Sequence, residues 1–279
     1  QDSCVHCVES RACTAGSAYP PTYTLRMQVR WLSAFLDFPA EQFGPEVTFW
    51  RAIAGSTVSP PRGEHREFAS LEPFFGDPHL RVQRIDDGPG GVHLDIHTDD
   101  PRTAATEALA LGAASVADHG KYLTLASPGG MVFCLVPWEG EARKSRPIRW
   151  PGDAISIIDQ VCIDCPRDLF DAEVLFWSQI TGAATKATSR PELVALRRDP
   201  KLTLGILLQR LDEPARDAQG VPTRTRAHLD VATNSVADEV ARHEDWGARV
   251  IVAHDRWTVM ADPVGRRYCI TSRNPRTGS

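Results

Sequence analysis

No stretch of this chain approaches the roughly 20 consecutive apolar residues that a helix needs to cross a bilayer, so no membrane partner is expected. An excess of positive charge is missing too. The 31 Lys and Arg against 36 Asp and Glu leave a net charge of -5, and no basic stripe with interleaved aromatics stands out. That balance gives no general attraction to nucleic acid. The seven cysteines lack the dense, even pattern of a disulfide scaffold. Four of them, Cys134, Cys162, Cys165 and Cys269, sit in apolar strand-like runs, which points to a reducing, cytoplasmic setting. Residues 1–26 match nothing else in the chain. There Cys4-Val5-His6-Cys7 offers half of a zinc site but has no second ligand pair at suitable spacing. That segment also lacks the apolar h-region of a signal peptide and reads as a disordered tail. Met27 opens the ordered pattern and is a candidate natural start.

What is present is ordinary for a globular chain: 42% apolar and 24% charged residues over 279 positions, more than one compact domain usually holds. The chain also repeats itself. Pro39, Glu46-Val47, Phe49-Trp50, Ile53 and Gly55 return 127 positions later as Pro166, Glu173-Val174, Phe176-Trp177, Ile180 and Gly182. The triplet His93-Leu94-Asp95 returns as His228-Leu229-Asp230 at an offset of 135. Gly112-Ala113, Pro128 and Phe133-Cys134 follow at that offset as Gly247-Ala248, Pro263 and Tyr268-Cys269. Self-similarity of this kind sets the architecture before any motif is read. The second copy therefore carries extra residues before His228, and the polar stretch Leu211 to Thr225 is where a surface loop would take them.

Within each copy the pattern alternates between strand and helix periods. Trp31 to Asp37 reads as a strand and Glu41 to Ile53 as an amphipathic helix stopped at Gly55, with strands expected at Arg66 to Leu71 and Leu80 to Ile85. Val92 to His97 opens a second half. Asp100-Pro101 then supplies an N-cap and first-turn proline, and three short strands follow the helix. The second copy gives the same order, its second helix opening with a capping-box-like Ser235-Val236-Ala237-Asp238. The expected organisation is a tail over 1–26, domains over 27–138 and 153–273, an exposed linker over 139–152 containing Pro147 and Pro151, and a tail over 274–279. A small-molecule partner and a monomer or homodimer are expected.

Paired βαβββ units with an aromatic first helix, a His-Leu-Asp strand, a Leu-Gly-Ala helix end and the closing run Ala261-Asp262-Pro263-Val264-Gly265-Arg266-Arg267-Tyr268-Cys269 resemble the vicinal oxygen chelate superfamily. The nearest likeness is its glyoxalase-like and bleomycin-resistance-like domain group. The resemblance implies an α+β fold of two tandem domains, each of paired βαβββ modules forming a half-barrel sheet around a pocket. It also implies a divalent metal (Zn, Ni, Mn or Fe) held by residues on the first strand, the strand opening the second half and the last strand of a domain. The matching positions are Ser33, His93 and Val132 in the first domain and Gln160, His228 and Arg267 in the second. Valine cannot bind a metal and arginine repels one. The metal candidates reduce to His93, Gln160 and His228, and a metal-free protein is the leading expectation.

In such a half-barrel, alternation along the strands sends Ser33, Phe35, His93, Asp95, Val132 and Cys134 into the first cavity. Gln160, Cys162, His228, Asp230, Arg267 and Cys269 go into the second, which this reading makes much the more polar. His228 and Asp230 with Arg267 form the candidate catalytic set, as an oriented base and an oxyanion-binding cation. Ser33, His93, Asp95, Gln160 and Trp257 are the candidate substrate-binding residues. In the plainer alternative each His-Asp pair satisfies local hydrogen bonds, Arg267 pairs with Asp230, and the cysteines are small hydrophobes. The resemblance implies a lyase or dioxygenase-like enzyme acting on a small oxygen-rich molecule. Its alternative is a metal-free binding or sequestering protein of the antibiotic-resistance type.

Overall fold

The computed structural model describes residues 27–218 and 220–278, so expectations for the Cys4-Val5-His6-Cys7 segment and the rest of 1–26 lie outside the described residues. The first copy contains β1 (Trp31–Pro39), α1 (Ala40–Ile53), β2 (Ser56–Val58), β3 (Phe68–Pro73), β4 (Leu80–Ile85), β5 (Gly91–Thr98), α2 (Pro101–Ala110), β6 (Ala114–Asp118), β7 (Leu123–Ala126) and β8 (Val132–Pro137). After a short β9 (Ile148–Arg149), the second copy contains β10 (Ile155–Cys165), α3 (Phe170–Thr181), β11 (Thr185–Ala187), β12 (Leu193–Leu196), β13 (Gly205–Arg210) and β14 (Arg226–Thr233). It closes with α4 (Val236–Glu244), β15 (Arg249–Ala253), β16 (Trp257–Ala261) and β17 (Arg267–Thr271). None of these helices is long and apolar enough to cross a membrane.

Each copy forms one mixed, open sheet. The strand order is β2-β3-β4-β1-β5-β8-β7-β6 in the first and β11-β12-β13-β10-β14-β17-β16-β15 in the second, so the two follow the same path. The half-modules meet where β1 runs antiparallel to β5, and β10 to β14, which puts each His-Leu-Asp strand at the centre of its sheet. Leu94 and Ile96 are fully buried on one face while His93 and Asp95 project from the other, as a two-residue period dictates.

Local chemistry explains most element ends. Asp100 caps α2 by accepting hydrogen bonds from the backbone N–H groups of Arg102 (3.0 Å) and Thr103 (3.2 Å), with Pro101 in the first turn. Gly182 ends α3 in the left-handed region at φ 67. Two expectations need correction. Ser235 makes no side-chain cap to α4, because its hydroxyl donates to the Asp238 carboxylate instead (2.7 Å). The 139–152 segment is not a free linker. Ser145 is buried, Glu141 reaches 3.2 Å from Arg81, and Ile148–Arg149 pairs with β10. The extra residues of the second copy do lie in its β13–β14 connection, which spans 211–225 where the first copy has 86–90.

The two copies share a core. From α1, Trp50 packs on Tyr268 of β17 (ring centroids 5.3 Å apart), and from α3, Trp177 packs on Phe133 of β8 (5.4 Å). Each first helix thus covers the closing strand of the other copy. Its buried glutamate follows it there. Glu173 accepts from the Gly129 N–H (2.6 Å) and the Trp177 indole N–H (2.8 Å), and Glu46 lies against Asp262.

Candidate functional site

The kernel of each cavity is built by three neighbouring strands. Ser33, Phe35 and Asp37 alternate onto the inner face of β1, and the antiparallel register sets Phe35 directly opposite His93. Their rings stack at 4.8 Å with only 4° between planes. Two residues further along β1, Asp37 reaches the same imidazole, and His93 Nδ1–H donates to its Oδ2 (2.7 Å). The parallel register of β5 with β8 places Cys134 beside Asp95. The other edge of the His93 ring, Nε2, stands 3.5 Å from Asp95 Oδ1.

The second copy repeats the arrangement. His228 Nδ1 meets Asp164 Oδ2 at 2.8 Å, and Nε2 lies 3.4 Å from Asp230 Oδ1 and 3.5 Å from Cys269 Sγ. Cys162 replaces Phe35 opposite the imidazole. Burial opposes a charged imidazole at both positions. The Asp37 charge, with its hydrogen bond to the ring and the nearby Asp95 carboxylate and Cys134 thiol, outweighs it at His93, whose proton is held well above the usual imidazole range. At His228 burial is likewise outweighed, by the Asp164 charge with its hydrogen bond to the ring and by the nearby Asp230 carboxylate, and the shift is again upward. Burial also pushes the Cys162 thiol up, to about 12, and raises Cys269, which keeps both thiols protonated.

Asp37 and Asp164 are the residues that sequence reasoning passed over. They stand 127 positions apart on the parity already assigned to Ser33 and Gln160, so the repeat carried the signal. Cys269, read together with Cys162 as a small hydrophobe in the plainer alternative, also faces its histidine, as Cys134 does in the first copy. Neither histidine is therefore isolated.

The first cavity is not the sparsely polar bowl that was expected. The first is a cavity of about 440 Å³ whose wall carries Arg62, Arg81, Gln83, His119, Lys121, Tyr122 and Glu139 beside the kernel. Strand β4 and the loops before β3, between β6 and β7 and after β8 supply this polarity, and the expectation had counted only three strands. The second histidine opens instead into a cavity of about 960 Å³ that extends along the seam between the copies and also touches Asp37 and His93.

Other expected site residues fall as follows. Ser33 is fully buried beneath the first cavity, its hydroxyl 2.7 Å from His97 Nε2. Burial holds His97 neutral, down to about 4. Gln160 donates its amide N–H to Asp230 Oδ2 (2.7 Å), so the partner of that carboxylate is Gln160 rather than the Arg267 of the plainer alternative. Arg267 is exposed on the wall of the seam cavity. Trp257 lines that cavity, but its ring is stacked on His254 (4.2 Å) and overlain by the Arg190 guanidinium (4.2 Å), so the protein's own groups occupy it. His119 and Tyr122 form the matching stack in the first cavity at 4.3 Å.

The residues fit a divalent metal. One nitrogen, one oxygen and one sulfur ligand from His93, Asp95 and Cys134 lie within 4.8 Å of one another, as do those of His228, Asp230 and Cys269. Asp95 Oδ1 and Asp230 Oδ1 are buried with no hydrogen-bond partner among the described residues, which is costly unless something else satisfies them. A carboxylate on Nδ1 that leaves Nε2 facing the other donors is the usual way a metal-ligating histidine is oriented.

A family model for a glyoxalase-like domain matches the chain twice, over residues 33–136 and 160–271. No curated protein sequence matches. Among solved structures, the Mn(II)-bound glyoxalase of Novosphingobium aromaticivorans is similar at 16% identity and TM-score 0.58, covering 88% of this chain and 82% of that one. A mutant 4-hydroxymandelate synthase of Streptomyces coelicolor is similar at 14% identity and TM-score 0.57, covering 91% and 94%. The homoprotocatechuate 2,3-dioxygenase of Arthrobacter globiformis follows at 15% and 0.57, covering 94% and 86%. At these identities the likeness is one of fold.

Proposed function

This chain belongs to the glyoxalase-like domain family of the vicinal oxygen chelate superfamily, with two tandem copies, and on that premise we propose that it is a lyase or dioxygenase-like enzyme. Its first-copy cavity takes a small oxygen-rich molecule and moves a proton on it at His93. The observation that carries the reading is the bracketing of His93 by two aspartates beside a thiol, on the wall of a cavity of suitable size. A purely structural histidine needs only one such partner, and the orphaned Asp95 Oδ1 has no role in that case.

Asp37 fixes the imidazole plane and keeps the Nδ1 proton on the side away from Asp95. The Phe35 ring packed against its face prevents rotation. Nε2 is then directed toward Asp95 and Cys134, where it holds either a proton for a substrate oxygen or a metal. A divalent metal bound by His93, Asp95 and Cys134 would supply Lewis-acid polarisation of the substrate oxygens. Cavity-lining Tyr122 and His119 position the far end of the molecule. His228 with Asp164, Asp230 and Cys269 gives the seam cavity a second centre of the same kind. The alternative of a metal-free binding protein rests on the same aspartates, because an imidazolium held between them cannot ligate a metal.

Calorimetric titration of the chelator-treated full chain with Zn²⁺, Mn²⁺, Fe²⁺ and Ni²⁺ decides between them. Uptake of a metal is expected, with affinity at the first site weakened about 10–100-fold in Asp37→Asn, which keeps the shape but loses the charge that makes His93 a strong ligand. Uptake unchanged by Asp95→Ala and Cys134→Ala would rule out this metal site.

A further inference from the structure

The first cavity carries two cations aimed at one place. Ser70 on β3 and Arg81 on β4 are register partners, so their side chains leave the same face of the sheet. Arg62 Nη2 donates to Ser70 Oγ (3.1 Å) and its Nη1 to Ser59 Oγ (3.1 Å), which pins that guanidinium above the same ladder position. Both arginines line the cavity that holds His93, and Arg81 also lies 5.9 Å from the centre of the Phe35 ring.

Their charges are under-compensated. Arg81 has one carboxylate, Glu141 at 3.2 Å, which it shares with His97 Nδ1 at 3.3 Å. Its Nε is buried without a hydrogen-bond partner. Arg62 forms no ion pair among the described residues. Its fixed contacts are neutral hydroxyls, and Glu139 and Glu72 act on it only through space. Two like charges held rigidly side by side cost free energy unless an anion joins them. Planar, forked guanidinium groups suit a carboxylate, which each can grip with two N–H groups.

We propose that Arg62 and Arg81 form a carboxylate clamp, and that the molecule bound in the first cavity is a flat organic acid. Its carboxylate lies on the two guanidinium groups and its remaining oxygens face His93 and Asp95. This rests on the reading of that cavity as the small-molecule site and adds the chemical class of its occupant. The same cavity wall carries Phe35, Phe68 and Tyr122, aromatic groups suited to a flat ring.

The test is calorimetric titration of the full chain with three probes of one size: salicylate, its neutral amide salicylamide, and catechol. Salicylate should bind at least about ten-fold more tightly than salicylamide, the contrast expected from charge-assisted over neutral hydrogen bonds. Arg62→Met and Arg81→Met should each shrink that ratio toward one without weakening catechol. Thermal melts verify that both variants fold, and Arg62→Lys, which keeps the charge but not the fork, should retain only part of the preference. Equal binding of salicylate and salicylamide, or a preference that survives both Met variants, overturns the clamp and leaves the cavity reading standing. No binding of any of the three overturns the cavity reading and the clamp with it.

Discussion

Trp177→Ala should cost about 3–5 kcal/mol of stability, the usual range for emptying a fully buried tryptophan site. Trp177 has no exposed surface and packs against Phe133 of the other copy (5.4 Å) and Phe176 of its own helix (5.4 Å). The loss has two parts. The vacated volume sits between two sheets that cannot close on it without moving β8 against α3. The indole N–H also satisfies Glu173 Oε2, a carboxylate whose burial already pushes its proton affinity up. Trp177→Phe separates the parts, because it keeps most of the volume and removes only the donor, at roughly 1–3 kcal/mol. Urea or guanidinium melts followed by fluorescence and circular dichroism give both numbers. A loss below about 1 kcal/mol for the alanine variant would mean that the copies do not share this core in solution.

Glu46→Gln should stabilise the protein in alkaline buffer and do little in acid. Glu46 is fully buried, and burial followed by the neighbouring Asp262 charge raises its pKa from 4.5 to about 8, against a weaker pull from Arg266. A carboxyl that prefers its proton in the folded state contributes fully below pH 4.5, and that contribution is lost as pH rises through about 8. Glutamine keeps the neutral shape and has no proton to lose. The gap between variant and parent should open from about pH 5, reach a few kcal/mol near pH 8 at roughly 1.4 kcal/mol per pH unit, and then level off. Thermal melts between pH 5 and 9 check it. A gap independent of pH would show that Glu46 does not titrate with folding. Asp262 and Arg266 belong to the closing turn of the second copy, and Arg266 also donates to the Asp37 and Pro89 carbonyls. This latch therefore abuts the first kernel.

Much of this was written in the sequence at short range. The 127 and 135 offsets, the apolar periods and signals such as Asp100-Pro101 are local facts, so they fixed the tandem α+β architecture and the central place of each His-Leu-Asp strand. The two-residue alternation of strands even put Asp37 on the correct face. What it could not do was measure reach along a twisted sheet. Ser33 and Gln160 share that face with Asp37 and Asp164, but only the assembled register shows that Asp37 and Asp164 meet the imidazoles while Ser33 goes to His97 and Gln160 to Asp230.

The remaining site lay beyond any local rule. Arg62, Arg81 and Glu139 come from a loop, a strand and a presumed linker, so nothing in their spacing announces a common wall. The exchange of first helices between copies, which buries Glu46 and Glu173 against the opposite closing turns, is likewise a product of packing. The sequence by itself determined two copies of one fold, each with a histidine and an aspartate on an inner strand. The tertiary structure decided what stands around each histidine, because that depends on register and on which sheet edges curl over the bowl.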